Sequence, residues 1–149
     1  MRRRQLFAMM LAAAAAPGCS AAAPVLSAIA QGAQWLGSVL DIADAGQRSY
    51  FNRHPNMDAE GRINEALTHA RTALAALDHA IGAASAEDEA KARAEAVAAY
   101  DALRKLLDET GVLDGRPPPG GPETDAPVPK PVELPSREQV AMRLGEAAP

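Results

Sequence analysis

Residues 63–81 read INEALTHARTALAALDHAI and carry the clearest periodicity in the chain. Apolar side chains recur there at alternating steps of four and three residues, which places them on one face of an α-helix. The positions are Ile63, Leu67, Ala70, Leu74, Leu77 and Ile81. Because a lone amphipathic helix is marginal in water, another element has to cover this face. The stretch predicts a packed helix that ends at Gly82 and has Leu67, Leu74 and Leu77 in the core.

A similar apolar stripe precedes this helix and predicts another, from about Leu26 to Arg53. Its steps are again four and three, and it ends where Pro55 disfavours a helical conformation at His54. The positions are Val25, Ile29, Gly32, Leu36, Val39 and Ala43. Small residues such as Gly32 allow a neighbouring backbone to approach this face closely. Trp35 is expected to pack at the margin of the stripe.

The run Tyr50-Phe51-Asn52-Arg53-His54-Pro55 ends this helix and concentrates chemically capable side chains. Two interpretations are open. Tyr50 and Phe51 either bind a partner at a recognition surface, or they cover the end of the core as packed aromatics. The following helix starts after Asn56 or Asp58, whose side chains accept hydrogen bonds from the free amides of a first turn.

A third helix is expected to open at Ser85. The acidic residues 87–89 lie in its first turn, where the helix dipole favours negative charge, so they indicate a helix start rather than a metal site. Its apolar positions are Ala90, Ala94, Val97, Tyr100, Leu103 and Leu107. Gly111 suits the left-handed conformation of a C-cap, and Val112 is then placed to touch Leu107 in a Schellman motif.

The three helices have similar lengths of about 25 residues, or roughly 40 Å. Short connections make sequential helices antiparallel neighbours. Residues 25–112 are therefore expected to form an all-α, three-helix antiparallel bundle. The chain contains one cysteine, which cannot make an internal disulfide, so the core of this single domain has to come from packing.

Beyond the bundle the composition changes, and residues 113–135 are rich in proline. They predict an extended linker with a reach of up to roughly 60 Å. Residues 136–149 then begin with a second helix-start signal, the capping box of Ser136 and Gln139.

The capping box is followed by the apolar residues Val140, Met142 and Leu144, which predict a helix of about two turns. Such a helix is too short to persist alone, so it folds either against this bundle or against a partner. We expect Val140, Met142 and Leu144 to form a partner-docking element at the end of the arm.

Catalytic and ligand-binding motifs are not found in the sequence. His69 and His79 are ten residues apart on one helix, too far to share a metal ion. No glycine-rich phosphate loop and no nucleophile or zinc motif occurs. We therefore expect no enzymatic activity, no cofactor, no metal site and no small-molecule substrate.

The amino terminus has the order of a secretory signal: Arg2, Arg3 and Arg4, an apolar run over residues 6–16, and then small residues. The stretch Ala16-Pro17-Gly18-Cys19-Ser20 resembles the lipobox of bacterial lipoproteins, with Ala16 where leucine is usual. The resemblance implies removal of residues 1–18, acylation of Cys19, and a lipidated tether over residues 19–24. Ser20 resembles the residue found in lipoproteins of the outer membrane.

Two alternatives concern this signal. An uncleaved membrane anchor would run from Leu6 to Ala30, with Cys19 as an ordinary small residue. The run Arg3-Arg4-Gln5-Leu6-Phe7 resembles a twin-arginine signal, although the general secretory route suits a chain without a cofactor motif. The formal charge of −4 becomes −7 when the three arginines are removed, which argues against a nucleic-acid partner.

These features predict a non-enzymatic lipoprotein of the bacterial cell envelope, held by acyl chains in the outer membrane and facing the periplasm. Its expected role is structural or protein-binding, with an envelope protein as partner. The alternative is a phage or prophage lysis lipoprotein of the spanin type, because outer-membrane spanin subunits are also small lipoproteins with proline-rich stretches. Spanin subunits are usually shorter and lack a folded bundle.

Overall fold

The structure is a computed structural model that describes residues 22–117 and 130–145. It contains four α-helices: α1 (Ala22–Phe51), α2 (Met57–Gly82), α3 (Ala86–Glu109) and α4 (Arg137–Arg143). No strand occurs in the described ranges, and α1, α2 and α3 pack together around one apolar core. The all-α class is therefore confirmed. None of the helices in these ranges is long and apolar enough to span a membrane.

Local signals in the sequence set the helix ends. The side chain of Asn56 accepts a hydrogen bond from the amide of Ala59 at 3.1 Å, which starts α2. Gly111 adopts a φ of 80°, and the amide of Val112 donates to the carbonyl of Leu107 at 2.9 Å. The Schellman motif predicted at the end of α3 is thereby confirmed.

The contacts between neighbouring helices run in opposite order along the two sequences. Gln47 of α1 is bonded to Asn64 of α2, and Asp41, further back on α1, is bonded to Arg71, further forward on α2. Between α2 and α3, Ala80 and Ala92 line one surface groove, whereas Ala73 and Ala99 line another. Both neighbouring pairs are thus antiparallel, and α2 lies against α1 on one side and α3 on the other.

This central position of α2 changes which residues are buried. Ala73 and Ala80 are buried toward α3, while Leu74 and Ile81 are only half-buried at the edge of the core. The expected full burial of Leu74 was therefore wrong, because α1 and α3 together turn the buried arc of α2 toward Ala73 and Ala80 and leave Leu74 at its edge. Leu67 and Leu77 are buried as predicted.

The stripes of α1 and α3 also differ from prediction near their amino-terminal ends. Val25 is 58% exposed, although it was assigned to the buried face of α1. On α3, Ala92 and Ala96 are buried in place of Ala90 and Ala94, which are exposed. The larger side chains that follow on α3 are buried as predicted, because they bring more apolar area to the core than alanine.

Residues 130–145, here called the strap, return along α1 and α3. At one end the amide of Val132 donates to the carbonyl of Leu113 at 2.9 Å, just beyond α3. At the other end Gly145 lies against Ile29 of α1 and Arg93 of α3, near the amino-terminal ends of both helices. The end of the strap thus lies beside the start of the domain. The extended linker, with its reach of roughly 60 Å, could instead have placed it far away.

Candidate functional site

The predicted partner-binding residues are mostly not on the surface. Val140 and Leu144 are fully buried in the core of this chain, and Tyr50 and Phe51 are also buried. Met142 is 74% exposed. The sequence allowed the terminal helix to pack either against this bundle or against a partner. In the structure it packs against the bundle of its own chain. Val140 and Leu144 therefore cannot contact a partner while α4 is in place, which corrects their assignment as a docking surface.

Tyr50 and Phe51 close one end of the core. Their rings meet edge to face with centroids 5.2 Å apart, and the hydroxyl of Tyr50 lies 2.9 Å from the carbonyl oxygen of Thr110 and 2.5 Å from that of Arg116. Burial raises the pKa of Tyr50. This arrangement fits packed aromatics that cover the core, the second of the two interpretations of this run.

Two glycines of α1 allow the strap to lie close. A Cβ atom at Gly32 would collide with the backbone carbonyl of Arg143, and one at Gly46 would lie 2.6 Å from a methyl carbon of Val132. The prediction that a backbone approaches α1 closely at Gly32 is therefore confirmed. The two glycines are separated by almost four helical turns, so they fix the strap near both of its ends.

Side chains of α3 bind the backbone of the strap. The hydroxyl of Tyr100 donates to the carbonyl of Pro135 at 2.6 Å, and burial raises the pKa of Tyr100 to about 12. Arg93 donates through Nη1 to the carbonyls of Leu144 and Gly145, at 3.3 and 2.6 Å. These carbonyls follow the end of α4, where no helical partner remains for them and a cation is favoured.

The capping box of Ser136 and Gln139 is present and starts α4 as predicted. Beside it, the outer side of the strap forms a shallow groove of about 260 Å³ against α1. We call it the Trp35 groove; it is lined by Trp35, Pro135, Gln139, Met142 and Arg143. The guanidinium of Arg143 lies 5.1 Å from the centre of the Trp35 ring, within range of a cation–π contact. An indole, a thioether and a cation on one exposed surface suit contact with a protein side chain.

A polar cluster joins α1 to α2 on another side. Gln47 is fully buried and donates to Asn64 at 2.6 Å and to Asp44 at 3.3 Å, while Arg71 donates to Asp44 at 3.1 Å. Burial opposes ionisation of Asp44, but hydrogen bonds from Gln47, Arg48 and Arg71 outweigh it and lower its pKa. The geometry is that of a bond between helices. Gln47 follows Ala43, the last position of the α1 stripe, by a further step of four residues, which places it on the buried face of α1.

Two further sets of residues were considered in the sequence, the predicted lipidation site Cys19 and the two histidines that were rejected as metal ligands. Cys19 falls outside the described residues. His69 and His79 are exposed on α2, and no group of three potential metal ligands occurs within residues 22–117 and 130–145. Comparison of the chain with models of protein families, with curated proteins and with solved structures found no match.

Proposed function

We propose that this chain is a bacterial lipoprotein, anchored by acyl chains on Cys19, that serves as a non-enzymatic structural or protein-binding component of the cell envelope. The observation that carries the proposal is the order of Arg2 to Arg4, an apolar run and the lipobox-like stretch Ala16-Pro17-Gly18-Cys19. Each acyl methylene that enters the bilayer contributes about 0.8 kcal/mol, so several chains would hold the protein durably. Ser20 supports an outer-membrane location facing the periplasm.

The position of α1 supports this proposal. α1 begins at Ala22, inside the range 19–24 that was expected to be a tether, so a lipid on Cys19 would hold the start of the helical domain close to the bilayer. The rest of the domain would then project away from the membrane along α1. Met142 and Trp35, in the Trp35 groove, would lie on the side of the domain and would be accessible to another envelope protein.

A Cys19→Ala variant tests the anchor, and Ser20→Ala is the matched control. We expect Cys19→Ala to lose labelling by a fatty-acid precursor and to leave the membrane fraction, and Ser20→Ala to keep both properties. Mass spectrometry of the wild type should show the loss of residues 1–18 and the gain of acyl groups. A Cys19→Ala variant that stays in the membrane, with a wild type of unmodified mass, would establish the uncleaved anchor over Leu6 to Ala30 instead.

The spanin-type alternative is favoured by one observation, the proline-rich sequence between α3 and α4. The packing of α1, α2 and α3 around one core weighs against it, because spanin subunits usually lack a folded bundle. Gene neighbourhood separates the two proposals: endolysin and holin genes beside this gene would favour lysis, and envelope or secretion genes would favour the structural role.

A further inference from the structure

We propose that the Trp35 groove binds a segment of another envelope protein in which a carboxylate lies next to an aliphatic side chain. The inference deepens the proposed protein-binding role and rests on it. The groove forms where the strap lies against α1, so its walls come from two distant parts of the chain and exist only in the folded domain. Its donors, its charge and its size identify the chemistry of the partner.

The polar side chains that line the groove offer hydrogen-bond donors. The amide of Ser136 donates to Oε1 of Gln139 at 2.8 Å, so the side chain of Gln139 turns its Nε2 donors away from that bond. The carbonyl oxygen of Pro135 already accepts a hydrogen bond from α3. The indole of Trp35 and the guanidinium of Arg143 can only donate. A ligand for this groove therefore has to supply acceptors.

The charge of the groove favours a carboxylate as the acceptor. Among the described residues that line the groove, Arg143 alone is charged. Its guanidinium lies against the ring of Trp35 and forms no ion pair within the part of the chain that the structure describes. Arg71 and Arg93, by contrast, are each paired with a carboxylate of this chain. The planar fork of a guanidinium binds both oxygens of a carboxylate, so an acidic side chain of a partner matches Arg143.

The walls and the size of the groove favour one aliphatic side chain beside that carboxylate. Trp35, Pro135 and Met142 contribute apolar surface, and Met142 is exposed. The volume of about 260 Å³ is smaller than the roughly 300 to 1,000 Å³ of small-molecule sites, so it suits a protein side chain better than a whole small molecule. Aromatic residues, methionine and arginine are also the residue types enriched at interfaces between proteins.

Trp35 is the only tryptophan in the chain, so its fluorescence reports directly on this groove. The test uses the wild-type protein, purified from membranes and reconstituted into vesicles of phosphatidylcholine, and two blocked tripeptides as probes. One probe is acetyl-leucyl-glutamyl-leucine amide, and the other has glutamine in place of glutamate. The probes differ only in the charge of the central side chain, so the ratio of their affinities measures the preference for a carboxylate.

We expect the glutamate peptide to shift the emission of Trp35 and to bind about threefold or more tightly than the glutamine peptide, the ratio that an exposed ion pair gives. High salt should remove most of this preference, since it screens exposed charges. Arg143→Gln should also remove it. The matched control is Arg137→Gln, the same change at an exposed arginine of α4 that does not line the groove, and it should keep the preference. Circular dichroism checks that both variants are folded.

Equal affinity of the wild type for the two peptides, or no change in emission with either, overturns the proposal. An equal loss of preference in the two variants also overturns it. Quenching of Trp35 by brominated phosphatidylcholine would show that the groove faces the bilayer, and this too excludes a protein partner there. Failure of the anchor is a separate result, because a protein without acyl chains would stay outside the vesicles and would still bind the glutamate peptide.

Discussion

Two interfaces of this molecule depend on different interactions. One lies between α2 and α3, and the other lies between the strap and the surface of α1 and α3 that it covers, here called its seat. The first joins two long helices through small buried residues, including Ala73, Ala80, Ala92, Ala96 and Ala99. Each of these helices satisfies its own backbone hydrogen bonds, so the interface depends on the fit of side chains alone. The strap is a short helix preceded by an extended segment, so some of its carbonyl groups have no hydrogen-bond partner within the strap itself.

The body supplies those partners from side chains. Tyr100 and Arg93 bond the carbonyls of the strap, and Gly32 and Gly46 remove the Cβ atoms that would hold it away. The difference teaches that the helical body is held mainly by apolar area, whereas the strap is held by a few specific contacts in addition to its buried side chains. Changes in the two regions should therefore differ in size and in how far they spread.

The largest effect is expected for Leu77→Ala in α2. Leu77 is fully buried, so its truncation removes apolar contacts and leaves a cavity, at a cost of about 2 to 5 kcal/mol in the free energy of unfolding. Leu74→Ala is the matched control, because Leu74 is half-buried on the same helix. Urea unfolding followed by circular dichroism measures both. Equal losses would show that Leu74 and Leu77 are buried alike, contrary to the structure.

An intermediate effect, confined to the strap, is expected for Gly32→Ala and Gly46→Ala. Each added methyl group meets an atom of the strap, so the strap has to shift or leave, at a cost of about 1 to 3 kcal/mol. Gly37→Ala on the same helix is the control, since its Cβ would lie 3.7 Å from Leu74, at ordinary contact distance. Amide hydrogen exchange should increase in residues 130–145 and much less in α2.

A control variant that opens the strap as much as Gly32→Ala would mean that alanine at any glycine of α1 has this effect. Faster exchange in α2 to the same degree as in the strap would mean that the two regions unfold as one unit. Either result would remove the distinction between the two interfaces. Gly37→Ala itself should be neutral or slightly stabilising, because alanine favours a helix over glycine.

Local features of this fold were predictable from the sequence. The caps at Ser85 and Ser136 and the Schellman motif at Gly111 were predicted and are present, and the structure selects Asn56 from the two predicted candidates, Asn56 and Asp58. Each depends on residues within five positions of one another, so the sequence alone contains the whole signal. The three long helices were also predictable, because the periodicity of their apolar residues is visible in the sequence. The rotation of the buried face of α2 was not, since it depends on where two neighbours lie.

The seat of the strap was not predictable for a related reason. Tyr100 and Pro135 are 35 residues apart, and Tyr50 and Arg116 are 66 residues apart. No periodic pattern in the sequence indicates which hydroxyl will bind which distant carbonyl. A short amphipathic helix also has the same pattern whether it packs against its own chain or against a partner. Only the small face of α1 at Gly32 indicated that a backbone would approach, and it did not indicate which one.

The smallest effect is expected for Tyr100→Phe, which tests the hydrogen bonds between α3 and the strap. The change keeps the buried ring and removes the bond to Pro135, at a cost of about 1 kcal/mol at neutral pH. Burial raises the pKa of Tyr100 to about 12 in the folded state, so the folded protein favours the neutral hydroxyl. The resulting contribution to stability is complete below the ordinary pKa of 10 and is lost as the pH rises toward 12. The variant lacks this loss, so the gap in stability between it and the wild type should narrow above pH 10 in urea unfolding. A gap that stays constant to pH 12 would show that the hydroxyl of Tyr100 is no more buried in the folded chain than in the unfolded one.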